Sequence, residues 1–436
     1  MKILSHRNLQ LALLAMVAWA TMYCRSALGP LQEAVRSSLH LSDNQMGLIQ
    51  GAAMAVPMAI CSVPLGLLAD RLSRARMLFW FVALMPISCI LSALVSQFPV
   101  LFLTRCLAGV ASAAFLVFGY SIIGDLYSAF ERGRASMIVA SAEIIGAPVA
   151  FALGGTLLVH LPLIADRFEG RHLDGWREAL LVMGALLIPV ALLVLLLREP
   201  ARGERELEEQ PLRVVWPELW RYRAVALPIL AARGMVWLAD GAVFVWAAPG
   251  FSRRFHWAPD HIGAVMGIVL LVSGVLGPAL GGPLADFCQR HGGPRCTVTV
   301  LAVVALTSVP VALFNVMPTA NSVAVTMVLF LTLGFIISTA GVALSIVVIP
   351  GELRGVYLGA TFTVGSIFFV GLAPVAVSGL STLMGGGSMI SRALAIVCAS
   401  GSLLGFIVFA LSARFFPGEI PLPGPFLRSL IGSRQV

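Results

Sequence analysis

Charge is what this sequence has least of. Asp, Glu, Lys and Arg make up 11% of its 436 residues, against about 25% in an ordinary soluble domain. A soluble fold of this size could not cover its surface with so few charges, and no long polar segment is left to form a separate soluble domain. The seven cysteines lie mostly inside apolar runs, and Cys288 and Cys296, which flank one short loop, have no compact Cys/His cluster around them. A structural metal or a disulfide framework is therefore not expected. The chain has no His-x-x-x-His pair and no Gly-rich nucleotide loop ending in Gly-Lys-Ser or Gly-Lys-Thr, which argues against a membrane protease or an ATP-driven pump. No catalytic constellation and no cofactor is expected.

What the chain has is apolar length: 59% of it is hydrophobic, and the apolar residues come in runs long enough to span a bilayer. Twelve such segments fall at 9–29, 45–69, 76–96, 98–124, 135–159, 177–197, 223–249, 260–284, 296–316, 320–348, 355–380 and 389–412. The first follows a basic N-terminus but is too long for a signal-peptide core, so it reads as a retained helix. The expectation is an all-α membrane protein with twelve transmembrane helices. Nineteen Lys and Arg residues fall on the side of the termini and seven on the other, which places both termini in the cytoplasm and the protein in an inner or plasma membrane. The net charge of +8 then serves topology, and nucleic acid is not an expected partner.

The longest charged stretch, 198–222, sits midway and carries Glu204, Glu206, Glu208 and Glu209 among its arginines. It reads as a cytoplasmic linker between an N-terminal six-helix bundle (1–197) and a C-terminal one (223–436) with a short cytoplasmic tail. An internal repeat supports two pseudo-symmetric bundles. Gly66 precedes Asp70 by four residues at the end of segment two, and Gly282 precedes Asp286 likewise at the end of segment eight, 216 residues on. A weaker pair sets Arg134, before segment five, against Arg354, before segment eleven. Repeats of this kind underlie alternating access in many transporters. Each glycine would permit close helix contact, and each acid begins a loop within reach of arginines. Gly66, Asp70, Arg71, Arg74 and Arg134, with Asp286 and Arg354, are thus candidates for a cytoplasmic gate; the alternative is that they only cap helices and fix topology.

The stretch Gly66-Leu67-Leu68-Ala69-Asp70-Arg71-Leu72-Ser73-Arg74-Ala75-Arg76 resembles the signature loop of the major facilitator superfamily. Arg105 to Gly109 resembles that superfamily's fourth-helix element, and Gly146-Ala147-Pro148 with Gly154-Gly155 its fifth-helix element in antiporter-type members. These residues are assigned to helix packing. A finer resemblance is to the spinster-like group, through Gly47-Leu48-Ile49-Gln50, Asp70-Arg71 and Arg105-Cys106-Leu107-Ala108-Gly109. It implies a secondary transporter for a lysophospholipid or sphingolipid-like substrate. Spinster-like proteins usually carry an Asp-Arg pair in helix one and a Glu after the fourth-helix glycines; here Cys24-Arg25 and Ser112 stand there.

A charge inside a span is costly and normally faces a cavity or a partner. The candidates are Arg25, Arg105, Glu143, Arg233 and Asp240. The resemblance puts Arg25 and Arg233 on equivalent helices facing a central cavity, where a guanidinium suits a carboxylate or phosphate head; the alternative is an intramembrane pair, Arg25 with Asp240 or Arg233 with Glu143. Gln50, Trp237, Tyr23, Tyr120 and Tyr357 either line that cavity or pack between helices. Asp240, then Glu143, are the candidate proton-coupling acids. The expected protein is a monomeric transporter of an amphipathic or small organic anion, moved by symport or antiport with protons or uncoupled, with lipid neighbours. A proton-coupled carrier of a water-soluble organic acid or drug is the first alternative, and a non-transporting receptor or scaffold the second.

Overall fold

A computed structural model describes residues 6–128, 131–165, 173–200 and 212–416. Among these residues the protein is entirely helical and multi-spanning. The long helices are α1 (His6–Ser26), α2 (Asp43–Ala69), α3 (Arg74–Leu94), α4 (Phe98–Leu126), α5 (Arg132–Ala165), α6 (Gly175–Leu196), α7 (Arg223–Phe255), α8 (Pro259–Val311), α9 (Ala320–Val348), α10 (Gly359–Leu383) and α11 (Ile390–Arg414). Ten of them, α2 to α11, are long and apolar enough to cross a membrane. The helix α1 has 21 residues and carries Arg25 in its last turn. The helix α8 is two arms, 259–292 and 294–311, joined at Gly293, whose φ of 65° belongs to the left-handed region that glycine enters without steric cost. Side chains such as Val63, Leu103 and Val325 are exposed, as a lipid-facing surface requires.

With the two arms of α8 taken separately, successive helices alternate direction and define two faces. One, the terminal face, holds the start of α1 and the end of α11; the opposite face holds the short helix Gln32–Ser38 and the start of α2. Local chemistry explains several boundaries. Ser42 caps α2 reciprocally: its side chain accepts from the Gln45 N–H at 3.2 Å while the Gln45 side chain accepts from the Ser42 N–H at 2.9 Å, satisfying two donors that a helix start otherwise leaves orphaned. The tight turn between α3 and α4 exposes the last carbonyls of α3, and Arg177 takes them, donating to Ala93 O at 2.7 Å and Val95 O at 2.8 Å. The stretch 198–222, expected as a charged linker, contains a helix, Leu212–Arg221, whose Leu219 is buried with Tyr222 in a core of the second half; residues 201–211, with the four glutamates, lie outside the described residues.

Small residues decide which helices touch. A Cβ at Gly146 would lie 2.4 Å from Trp19 O, and one at Gly109 would lie 2.5 Å from Met54 O, so α5 meets α1 and α4 meets α2 backbone to backbone. Gly154 packs on Pro30, and Gly267 approaches Pro148 O. The halves meet where Gly155 abuts Pro259 O and Gly263 abuts Phe151 O, at 2.3 and 2.4 Å from a notional Cβ. Toward the terminal face the pattern reverses. At Gly66, Gly133 and Gly282 an added Cβ would have no neighbour within 4 Å. The close contact expected at Gly66 and Gly282 is therefore not made in this conformation: the halves touch toward the opposite face and stand apart at these glycines.

Candidate central binding cavity

Between the halves lies a cavity of about 330 Å³. Its polar wall is Arg25 from α1, Glu143 from α5, Trp237 and Asp240 from α7, and Ser338 from α9. The rest is apolar, including Met22, Met58, Leu270, Phe335, Phe244 and Phe369. A smaller adjoining cavity of about 40 Å³ shares Arg25 and has Gln50 in its wall; Gln50 donates to Gln32 Oε1 at 2.5 Å. Two π-helical turns feed the larger cavity. Phe115–Gly119 in α4 supplies Leu116, and Ser366–Leu372 in α10 supplies Ser366, Phe369 and Val370. Such turns rotate the residues that follow and recur at functional sites.

Arg25 is held through its backbone. The carbonyls that end a helix lack intrahelical partners, and the fully buried Arg105 donates to two of them at the end of α1, Arg25 O at 2.9 Å and Cys24 O at 3.3 and 3.4 Å. A guanidinium there also complements the negative end of the helix dipole. The α5 contact at Gly146 brings Glu143, about one turn away, to the same cavity wall as Arg25, without an ion pair closer than 4.0 Å between them. Neither of the two expected intramembrane pairs forms. Cys24 lies 3.8 Å, sulfur to sulfur, from Cys89, and Ser112 donates to Ala108 O at 2.8 Å, so both residues that stand where the spinster-like resemblance leads one to expect acids are locally satisfied.

Arg233 is buried and lines neither cavity. It stacks over the Trp237 ring at 4.5 Å and reaches Ser338 O at 3.4 Å, while Nε and Nη1 have no hydrogen-bond partner; Gly341 leaves room for its stem. Trp237 stands in front of it and donates to Ser338 Oγ at 3.3 Å. Asp240 packs against Gly334, where a Cβ would come within 2.3 Å of either carboxylate oxygen. The three tyrosines also lie outside both walls: Tyr23 stacks on Trp19 at 5.0 Å, Tyr120 packs near Phe115, and Tyr357 donates to Ala226 O at 3.2 Å.

At the terminal face, Arg74 is the buried centre of an ion cluster. It donates to Glu199 at 2.8 Å, to Asp125 and to Ser121 at 3.1 Å. Glu199 also accepts from the Ala75 N–H at 2.8 Å and Ser73 Oγ at 2.9 Å. Burial works to raise the Glu199 carboxyl, but these donors outweigh it and hold it below the usual carboxylate range. Asp125 and Glu199 were not among the expected gate residues. The side chain of Asp70 lies outside the described residues, and Arg71, Arg134 and Asp286 are exposed. Arg354 donates from Nε to Ile349 O at 3.0 Å. Its structural counterpart is Arg132, which donates from Nε to Tyr127 O, also five residues back and also at 3.0 Å. The second repeat therefore aligns Arg132-Gly133 with Arg354-Gly355, and Arg134 is displaced from it.

The opposite face carries a second ion cluster. Arg253, in the last turn of α7, donates to Glu33 at 2.7 and 3.1 Å, to Asp43 at 2.6 and 2.9 Å, and to Gly387 O at 3.2 Å. Arg36 lies 3.2 Å from Glu33 and 3.9 Å from Asp43.

Long membrane helices around a mostly apolar cavity with a polar patch suit a carrier, and comparison gives the class: the Major Facilitator Superfamily profile matches residues 14–374, and the chain belongs to that superfamily of secondary transporters. Among its relatives, the chain is 26% identical over 299 residues to the human protein spinster homolog 1, covering 63% of this chain and 54% of that protein. It is 26% identical over 398 residues to an MFS-type efflux pump of Mycolicibacterium smegmatis, covering 88% of each. The chain spans about half the length of the spinster relatives it matches. A crystal structure of a bacterial homolog to the human lysosomal transporter Spinster, in an inward-facing and unoccupied conformation, shares the fold with a TM-score of 0.78 at 20% identity, over 94% of this chain and 96% of that one.

Proposed function

We propose that the chain is a secondary transporter that works by alternating access and carries an amphipathic molecule bearing an anionic group, of the lysophospholipid or sphingolipid-like class. The observation that carries this reading is the central cavity, which pairs one exposed-facing guanidinium, Arg25, with walls of Met, Leu and Phe. A guanidinium binds carboxylate or phosphate through a fixed fork, and apolar walls favour a chain or ring system over a sugar. Arg233 acts behind Trp237 in this reading, setting the indole. Glu143 and Asp240 bring two acids to the same wall and are the candidate proton-coupling groups. Twelve spans follow when α1 is counted with α2 to α11 and α8 is divided at Gly293. The arginine excess then puts the terminal face in the cytoplasm of an inner or plasma membrane, and the conformation is inward-facing. Similarity to spinster proteins supports the lipid-like class.

A second reading, export of a water-soluble organic acid or drug, is supported by the mycobacterial efflux pump, a relative that matches over most of both chains. One experiment separates them. The purified protein is melted in the presence of lysolipids, organic acids or cationic drugs, since a ligand bound to the folded state raises apparent stability. Stabilisation by lysolipids that Arg25→Ala abolishes supports the first reading; stabilisation by short organic acids or drugs alone replaces it with the second.

A further inference from the structure

Where the end of α1 meets α3 we propose a modification site: Cys24 and Cys89 are a thiol pair that a small hydroperoxide converts to a reversible disulfide, fixing the cavity end of α1 to α3. The site does not depend on what the cavity carries.

The two cysteines stand 65 residues apart in sequence and meet inside the first half, with their sulfurs 3.8 Å from each other. The Cys24 thiol also points at Met85 O, 3.6 Å away and one turn before Cys89 on α3. Both side chains are fully buried, and both are free thiols. Each is held in place by its surroundings. Behind Cys89, α6 comes so close at Gly184 that a Cβ there would lie 3.0 Å from Cys89 Cβ. Cys24 sits in the last turn of α1, where Arg105 donates from Nη1 and Nη2 to Cys24 O at 3.3 and 3.4 Å. Folding has thus already brought the two residues together, and no loop-closure entropy remains to oppose their joining. A disulfide holds its sulfurs about 2 Å apart, so an approach of about 1.8 Å from the observed separation completes the bond.

Most buried cysteines are inert, small apolar residues. Charge and access set this pair apart. The attacking species in thiol chemistry is a thiolate, and positive charge to compensate it lies beside Cys24. Arg105 is fully buried with Nε unpartnered, and Arg25 is the next residue along the chain. Met22 and Arg25, on either side of Cys24 on the same helix end, line the central cavity, which brings a small uncharged peroxide to the residue next to the thiol. Oxidation then takes two steps. The Cys24 sulfur attacks one peroxide oxygen; the O–O bond breaks, Cys24 becomes a sulfenic acid, and the other oxygen leaves as water with the thiol proton. The Cys89 sulfur attacks the sulfenic sulfur; the S–O bond breaks, the S–S bond forms, and a second water leaves with the Cys89 proton. Two thiols lose two electrons to one hydrogen peroxide. Because Cys24 adjoins Arg25, the bond fixes the helix turn that presents this guanidinium to the cavity.

The test is a thiol map of the wild-type protein. The purified protein is treated with hydrogen peroxide below its melting temperature, remaining thiols are blocked, and the peptides are read by mass spectrometry without reduction. A linked Cys24–Cys89 peptide is expected, lighter by about 2 Da than the two reduced peptides together and split by a dithiol reductant. The oxidised protein is expected to melt at a higher temperature than the reduced one, because a cross-link restricts the unfolded chain; Cys89→Ser should abolish that difference. In Cys89→Ser the chemistry stops one step short, so capture of Cys24 sulfenic acid by dimedone should rise at least about fivefold over wild type. The linked peptide is read without any variant, so the test stands even if Cys89→Ser does not fold. Cys24 and Cys89 both recovered as free thiols, linkage of Cys288 with Cys296 alone, or a Cys24–Cys89 link that forms only in unfolded protein overturns the site. An unchanged melting temperature in protein that carries the link overturns the claim that the bond holds α1.

Discussion

The two ion clusters are built alike and joined differently. Each centres on one arginine held between two carboxylates and a further oxygen. Arg74 binds Asp125, Glu199 and Ser121, all within the first half, tying the starts and ends of α3, α4 and the segment after α6. Arg253 binds Glu33 and Asp43 across the halves and Gly387 O within its own half. The same chemistry therefore has two consequences. An ion cluster within one half persists while the halves rock and adds to the rigidity of the moving body. On the proposed alternating-access reading, a cluster between halves is made and broken in each cycle, and its energy biases which state is populated.

The largest expected effect separates them directly. Arg74→Ala leaves Glu199 and Asp125 partly buried without their cation and should cost roughly 3 kcal/mol of stability, read as a fall in melting temperature, while access to the cavity from the Arg253 face stays as in wild type. A change in access instead would show that the Arg74 cluster also reports on the state of the halves. Gly155→Leu comes next. Its side chain would run into Pro259 O, and overpacking of this kind costs about 1–3 kcal/mol; because this contact lies between halves, the distance between spin labels on α5 and α8 should lengthen, and an unaltered distance would mean the contact is not where the halves are held. Arg25→Ala should weaken substrate binding about tenfold, or about 1.4 kcal/mol, with little rescue by Arg25→Lys; since Arg25 touches neither cluster, interhalf distances should not move, and equal affinity in all three proteins would remove it from the site. The smallest effect is acidic. Glu199 is held below its unfolded value, so its contribution is present above the ordinary Glu pKa of about 4.3 and is lost as pH falls through the folded value. Melting curves of wild type and Glu199→Gln should thus differ at neutral pH and converge on acidification below that range; a constant gap would assign the Glu199 effect to packing rather than charge.

Much of the membrane architecture was legible from composition, because few charges over so many residues leave long apolar spans as the only way to bury the chain. Of the five intramembrane charges, Arg25, Glu143 and Asp240 reach the cavity wall, and a charge amid apolar sequence is the signal that marked them. Arg233 carries the same signal but sits behind Trp237, since periodicity does not say which of two neighbouring faces looks inward. The clusters were harder to see. Glu199 and Asp125 pair with Arg74 from over 100 and about 50 residues away, and Arg253 meets acids more than 200 residues before it. Each of those charges lies at a span end, where a topological role already accounts for it. The pairing of Arg134 with Arg354 was misjudged by two residues because the repeated element is the Arg-Gly pair at the start of α5 and just before α10, and only the shared bond to a carbonyl five residues back distinguishes it. The aromatic wall at Phe244 and Phe369 had no signal at all in a chain so rich in apolar residues.

The contact between Gly155 and Gly263 has a mechanical consequence. Most helix pairs interlock, ridge into groove, so that turning one against the other must lift side chains over each other. Here the two backbones meet without side chains between them, with the Cα of each 3.1 Å from where the other's Cβ would stand. Such a surface works as a plain bearing: it has little relief to catch on, its contact energy varies weakly with angle, and a small tilt at this point is magnified with distance along α5 and α8 into a wide displacement at their far ends.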